Sequence, residues 1–96
     1  MELMPESEWP RTVEAAVARM LSALTAEQRE LVRETAFPDL IRFHDNLGRW
    51  IRNQFGLWRG NKELMEACGL PHPDDCSMVI IEACWRRLRS ELERSE

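Results

Sequence analysis

Several features that would place the protein outside the cytoplasm are missing from its 96 residues. No apolar run reaches the ~20 residues that a membrane-spanning helix needs. The first six residues are acidic where a secretory signal is basic. The three cysteines are few and odd in number, whereas secreted disulfide scaffolds usually carry more, in even number. We therefore expect reduced thiols, no signal peptide, no membrane contact and a cytoplasmic location.

An excess of positive charge is missing too. With 13 basic and 17 acidic residues the net charge is −4, which disfavours a basic nucleic-acid binder or a polybasic membrane anchor. The apolar fraction of 44% and the charged fraction of 31% are typical of a globular chain. A second core would need roughly 50 more residues. We expect a single helical domain over residues 1–96, with residues 1–8 and 91–96 frayed.

Sustained strand alternation is absent, and the long segments show helical periodicity instead. Thr25 and Gln28 have the spacing of a capping box, Asn61 is suited to an N-cap, and Gly69 to a helix end. The predicted helices cover about residues 10–24, 25–35, 38–55, 61–68 and 74–94. The fold class is all-α, a compact bundle or orthogonal array of four to five helices.

The third predicted helix has one wide apolar face and one basic face, which carries Arg42, Arg49 and Arg52. Residues 42–62 hold five basic residues and one acidic residue. Arginine suits the recognition of carboxylate or phosphate, because its planar fork binds either in bidentate fashion. Two interpretations stay open: a docking surface for an acidic partner, or a solvated face with local ion pairs. The predicted partner-binding residues are Arg42, Arg49, Arg52, Trp58 and Arg59.

Two further features have more than one interpretation. Trp58 lies between loop glycines, so it is either an interface anchor or a side chain that fills the core. A second basic group, Arg86, Arg87 and Arg89, is spaced to pair with acidic residues on the same helix, namely Glu82 and Glu93. We interpret this second group as a salt-bridged surface.

The richest cluster of chemically active side chains lies at residues 72–76, beside the prolines at 71 and 73. A metal site here would draw a further ligand from His44 or Cys68, yet the standard zinc spacings are absent. A thiolate at Cys76 would be opposed by the adjacent carboxylates, which raise the pKa of a thiol. The cluster consists of His72, Asp74, Asp75 and Cys76. We interpret it as a helix start with favourable acidic residues, and expect no catalytic residue, no metal and no cofactor.

Two blocks of the chain form a distinctive pattern. His44 and the sequence Gly-Arg-Trp-Ile-Arg-Asn at 48–53, with Phe-Gly-Leu-Trp at 55–58, form the first block. His-Pro-Asp-Asp at 72–75 forms the second. Together the two blocks resemble a bacterial family of small domains of unknown function. The resemblance covers about residues 43–88 and leaves the first 36 without a counterpart. It implies a mostly helical bacterial domain and assigns no activity.

The function that these observations favour is protein binding rather than catalysis. We expect a small intracellular bacterial regulator, immunity-type protein or inhibitor that docks an acidic partner through its basic helix face. The alternative is nucleic-acid binding by the same arginines, and a more distant one is a metal- or thiol-dependent enzyme. The sequence leaves the oligomeric state open.

Overall fold

Five α-helices and two 3₁₀-helices make up residues 3–95, the part of the chain that this computed structural model describes. Side chains are described for residues 3–91. The elements in chain order are a first 3₁₀-helix (Glu6–Glu8), α1 (Val13–Ala23), α2 (Ala26–Glu34), a second 3₁₀-helix (Phe37–Phe43), α3 (Leu47–Gln54), α4 (Lys62–Cys68) and α5 (Pro73–Ser95). The all-α class is confirmed, and the predicted number of four to five helices is slightly low because two 3₁₀ segments are added.

The helix ends follow the local sequence signals. The hydroxyl of Thr25 accepts from the backbone N–H of Gln28, whose side chain accepts from the N–H of Thr25 in return, as the capping box predicts. Asn61 caps α4 by accepting from the backbone N–H of Leu64. Gly69 ends α4 with φ +76°, a left-handed conformation that glycine adopts without strain.

The prediction of one continuous third helix over 38–55 is wrong. The chain instead forms the second 3₁₀-helix, breaks after Phe43, and begins α3 at Leu47. The backbone N–H of His44 donates to the carbonyl of Ile41, a 3₁₀ bond of 3.0 Å. The side chain of Asn46 accepts from the N–H of Leu47 at 2.6 Å. Because such a local bond competes with the helical ladder, Asn46 starts a new helix rather than continuing the old one.

The long helix α5 is the centre of the packing. It contacts α1, α2, α3, α4 and the second 3₁₀-helix. Its buried stripe includes Ile80, Ile81 and Cys84, spaced as one helix face requires. The core side chains that meet this stripe from the other elements include Met20, Val32, Leu40, Ile51, Phe55 and Leu64. The other four α-helices and the second 3₁₀-helix are therefore positioned relative to α5.

Residues 1–8 and 91–96 were expected to fray, and the structure describes only part of these two segments. Residues 1, 2 and 96, and the side chains of 92–95, lie outside the described part. Within it, the backbone N–H of Met4 donates to Oε1 of Gln54 at 3.1 Å, and the carbonyl of Met4 accepts from the indole N–H of Trp9 at 3.2 Å. Across residues 3–95, no helix combines the length and apolar character needed to cross a membrane.

Candidate functional site

The predicted basic face is divided between two elements of the structure. Arg42 lies on the second 3₁₀-helix, while Arg49 and Arg52 lie on α3 beyond the break. Arg42 and Arg49 are exposed, but the side chain of Arg52 is only 9% exposed and turns towards α5. The prediction that all three arginines share one exposed helix face is therefore wrong, because the side chain of Arg52 is buried against α5.

Arg52 is held between α3 and the first turn of α5. Its Nε lies 3.4 Å from Oδ1 of Asp74, and its Nη1 donates to the hydroxyl of Ser77 at 3.1 Å. That hydroxyl donates to the carbonyl of Asp74 at 2.8 Å. A Cβ at Gly48 would lie 2.9 Å from the same Nη1, so the glycine leaves room for the guanidinium. The charge of Arg52 is thus compensated internally.

Asp74 also brings the two imidazoles of the chain towards one another. Nε2 of His44 lies 3.8 Å from Oδ2 of Asp74, and Nδ1 of His72 lies 3.9 Å from the same oxygen. The backbone N–H of Asp74 donates to Nδ1 of His72 at 3.2 Å, so this nitrogen acts as an acceptor. The two sequence blocks that carry the family resemblance therefore meet at this carboxylate.

The cysteines correct the expectation of reduced thiols. Cys68 at the end of α4 and Cys76 in the first turn of α5 form a disulfide, with 5.4 Å between their Cα atoms. They are eight positions apart, and the odd number of cysteines reflects one pair and one free thiol. Neither paired sulfur is then a thiolate nucleophile or a metal ligand. Within the described part of the chain, no group of three His, Cys, Asp or Glu side chains is arranged to hold a metal.

The remaining thiol, Cys84, lies on the buried face of α5. Burial raises the pKa of this thiol from 9.0 to about 12; the nearby Glu91 also raises it, while Arg87 lowers it. A thiol with such a pKa is protonated at neutral pH and is inert as a nucleophile. Cys84 is therefore a core side chain.

Trp58 is the most exposed aromatic side chain among the described residues, at 59%. This exposure rules out the interpretation that Trp58 fills the core. Its ring meets the imidazole of His72 edge to face, with 5.7 Å between centroids and 88° between planes. The indole thereby contacts the connection between α4 and α5, while Trp58 stays mostly exposed to solvent.

The loop that carries Trp58 is held from below. Gly56 has φ +69°, and a Cβ there would lie 2.3 Å from the ring of Trp9, which packs on this glycine. The side chain of Asn61 is fully buried, and its amide donates to the carbonyls of Pro10 at 2.9 Å and Phe55 at 2.7 Å. Buried hydrogen bonds of this kind fix the two ends of the loop. The sequence predicted the helix cap of Asn61 but not these two bonds.

Arg59 lies beside Trp58 and covers the buried indole of Trp9. Its guanidinium carbon is 5.1 Å from the centroid of that ring, and Nη2 donates to the carbonyls of Met4 and Asn53, each at 3.3 Å. Arg59 nonetheless stays exposed, as does Lys62 at the start of α4. We call Trp58, Arg59, Lys62 and His72 the Trp58 surface.

Sequence reasoning missed a second aromatic cluster. Phe37 and Trp85 meet edge to face, with 5.4 Å between centroids, and the guanidiniums of Arg86 and Arg89 lie over Phe37 and Trp85 respectively. We call these four residues the aromatic–arginine row. The sequence indicated a basic group that includes Arg86 and Arg89, and a helix end before the Phe37-Pro38 pair, but nothing in it placed these residues together.

The second basic group is salt-bridged only in part. Arg87 pairs with Glu91 at 3.1 Å, one helical turn further on. Arg86 forms no ion pair with Glu82, and the prediction of that pair is wrong because the guanidinium stacks on a ring instead. The side chain of Glu93, the predicted partner of Arg89, lies outside the described residues.

Comparison with known proteins identifies one relationship. The model of a family described as "Domain of unknown function (DUF6794)" matches residues 9–88. The match begins far ahead of residue 43, so α1, α2 and the second 3₁₀-helix belong to the family domain, contrary to the expectation that the first 36 residues lack a counterpart. No curated protein and no solved structure matches the chain.

Proposed function

The chain belongs to this family of domains of unknown function, and from its own geometry we propose that it is a protein-binding module that docks a partner through the Trp58 surface. The observation that carries the proposal is an indole that is 59% exposed at the tip of an ordered loop. Tryptophan and arginine are enriched among the residues that dominate protein interfaces, and here Trp58 and Arg59 are adjacent.

The loop that carries Trp58 is already held in place, so binding a partner through Trp58 has a low entropic cost. Its ends are fixed by the buried side chain of Asn61, and its first turn is fixed by Trp9 on Gly56. Binding therefore needs little ordering of the backbone, and the interaction of the indole with a partner is retained as affinity. An exposed tryptophan on a mobile loop would lose part of that gain.

The chemistry of the Trp58 surface defines the partner. The indole requires an apolar pocket, and the cationic groups of Arg59 and Lys62 favour carboxylates at the rim of that pocket. A groove of ≈ 290 Å³ between the loop and α4, lined in part by Leu57 and Met65, offers room for an apolar side chain in return. The proposed partner is an acidic protein surface with an apolar cavity.

Two finer expectations stay predictions: a bacterial origin and a location in the cytoplasm. The cytoplasmic location was expected partly because the cysteines were expected to be reduced. The Cys68–Cys76 disulfide removes that support, because disulfides persist mainly in oxidising compartments. Nucleic-acid binding is the less favoured alternative, because the net charge of −4 opposes contact with a polyanion. The experiment below distinguishes it from protein binding.

Affinity capture tests the proposal. The tagged protein is incubated with a lysate of its source organism, with and without nuclease, and recovered proteins are quantified by mass spectrometry. We expect a protein partner in near-equimolar amount whose recovery falls at least about tenfold for Trp58→Ala. Leu31→Ala is the matched control, because Leu31 is an exposed apolar residue of similar exposure on α2.

The outcomes separate the alternatives. Equal recovery by wild type and Trp58→Ala contradicts the proposal. Recovery that disappears on nuclease treatment identifies nucleic acid as the ligand. Loss with Arg49→Glu but not with Trp58→Ala would return the docking site to the exposed arginines of the predicted basic face.

A further inference from the structure

The aromatic–arginine row is a second surface, far from Trp58 along α5. Arg86 lies twelve residues after Asp74 on this helix, which corresponds to about 18 Å along its axis. In spatial order the row is Arg86, Phe37, Trp85 and Arg89, with each guanidinium over the ring beside it. Nothing in the proposed function uses these residues.

The rings in the row are fixed in place. The indole N–H of Trp85 donates to the carbonyl of Thr35 at 2.8 Å, and Phe37 packs against the same indole edge to face. Phe37 nevertheless stays 41% exposed, and Trp85 is half-buried. An apolar area thus remains open between two ordered cations.

The guanidiniums of the row are set up to bind carboxylates. Stacking on a ring engages the face of a guanidinium and restricts its rotamers, while the N–H donors at its edge remain free to bind an anion. Among the described side chains, no ion pair includes Arg86 or Arg89. Two positive charges in a chain of net charge −4 therefore frame an exposed ring.

We propose that the aromatic–arginine row is a docking site for an acidic segment of another protein, with one apolar side chain seated on Phe37 and a carboxylate on each of Arg86 and Arg89. Arg86 and Arg89 are three residues apart on α5. Side chains three or four residues apart on a helix have Cβ atoms separated by about 5–6 Å. An acidic helical segment with carboxylates at that spacing therefore matches the row.

Charge and size favour this occupant over other anions. Long nucleic acids and anionic membranes interact with the whole charge of a protein, which is negative here. A short acidic segment interacts mainly with charges within a Debye length of about 8 Å at physiological salt. The row offers two cations within that range, too few for strong attachment to a polyanion.

The test uses a defined probe, a fluorescein-labelled helical peptide of fourteen residues with glutamates three and four apart and leucines between them. Fluorescence anisotropy is measured with the full chain at low and high salt. We expect binding that weakens with salt and that falls at least about tenfold for Arg86→Glu/Arg89→Glu. The neutral variant Arg86→Gln/Arg89→Gln, which keeps long side chains over the rings, is expected to weaken binding to a smaller extent.

The matched control is Arg29→Glu/Arg49→Glu, which makes the same change in net charge at two exposed arginines on α2 and α3. It should change the affinity by less than about twofold, because these charges lie outside the row. Circular dichroism confirms that each variant is folded. With 5-fluorotryptophan incorporated, the ¹⁹F resonance of Trp85 should shift on peptide addition, while that of Trp58 should not.

Several results would overturn the proposal. These are equal weakening by both charge-reversed pairs, equal binding of a peptide with lysine in place of glutamate, or no binding of the acidic peptide at millimolar concentration. Binding of a single-stranded DNA 20-mer or of phosphatidylglycerol vesicles through Arg86 and Arg89, without binding of the peptide, would assign the row to a different ligand. Loss of the Trp58-dependent partner does not affect this test, because the peptide is supplied directly.

Discussion

The ion pair between Arg52 and Asp74 gives the most specific prediction about stability. Asp74→Asn keeps the shape of the side chain but removes the charge that faces Arg52, whose side chain is only 9% exposed. The guanidinium then keeps its bond to the hydroxyl of Ser77 and loses its counter-ion. We expect Asp74→Asn to destabilise the domain by about 2 kcal/mol.

The magnitude follows from two contributions. Removing one partner of a fully buried pair costs about 3–5 kcal/mol, but the side chain of Asp74 is 40% exposed and water screens the pair, which reduces the cost to about 1.5 kcal/mol. The first turn of α5 adds about 0.5 kcal/mol through the helix dipole. Asp75→Asn is the matched control, because Asp75 is exposed in the same turn and has no ion pair, and it should cost only about 0.5 kcal/mol.

Chemical denaturation of both variants in wild-type and Arg52→Met backgrounds measures the pair directly. In the Arg52→Met background, Asp74→Asn should cost no more than Asp75→Asn, since the charge it leaves unpaired is gone. For a domain of this size, a loss of 2 kcal/mol lowers Tm by about 8–16 °C. Equal effects of the two aspartate variants in the wild-type background would refute the role assigned to Arg52.

Four further predictions concern the packing of the domain and its buried thiol. In denaturant titrations, Gly56→Ala should lower the free energy of unfolding by about 1–3 kcal/mol more than Gly69→Ala does. Both glycines have a similar positive φ, but only a Cβ at Gly56 meets the ring of Trp9. Equal losses would contradict that packing. Asn61→Ala should cost about 2–4 kcal/mol in the same assay, since it leaves two buried carbonyls without a donor. Without reductant, a thiol assay should find no reactive group in the native protein and one, Cys84, after unfolding. Stability should fall as the pH rises from about 9 to 12, because the raised pKa makes the folded state hold its proton longer than the unfolded state; a flat profile would contradict the burial of this thiol.

The sequence predicted those helix ends that depend on hydrogen bonds between neighbouring residues. The capping box at Thr25 and the glycine after α4 act on neighbouring backbone groups, so their positions can be inferred from spacing alone. The prediction of a continuous third helix over residues 38–55 was wrong for a local reason as well. Apolar periodicity continued through residues 44–46, but the side chain of Asn46 bonds to the next backbone N–H and interrupts the helix.

The site depended on contacts between residues that are far apart in sequence. Arg52 and Ser77 are 25 positions apart, and no periodicity on α3 reveals that a guanidinium turns inward to meet α5. Likewise, the pairing of Cys68 with Cys76 requires that the end of α4 lie against the start of α5. Trp58 was identified as a residue of interest, but only the packing decides between core and surface.

The role of Trp58 is tested most directly by site-specific photo-crosslinking in cells. The photoreactive amino acid p-benzoylphenylalanine replaces Trp58 in one variant and Leu31 in the other, so that both positions present an exposed ring on the same fold. We predict a single major protein adduct from position 58 and none of comparable yield from position 31. Equal adduct patterns from the two positions, or no adduct from position 58, would contradict the proposal that this surface binds a partner.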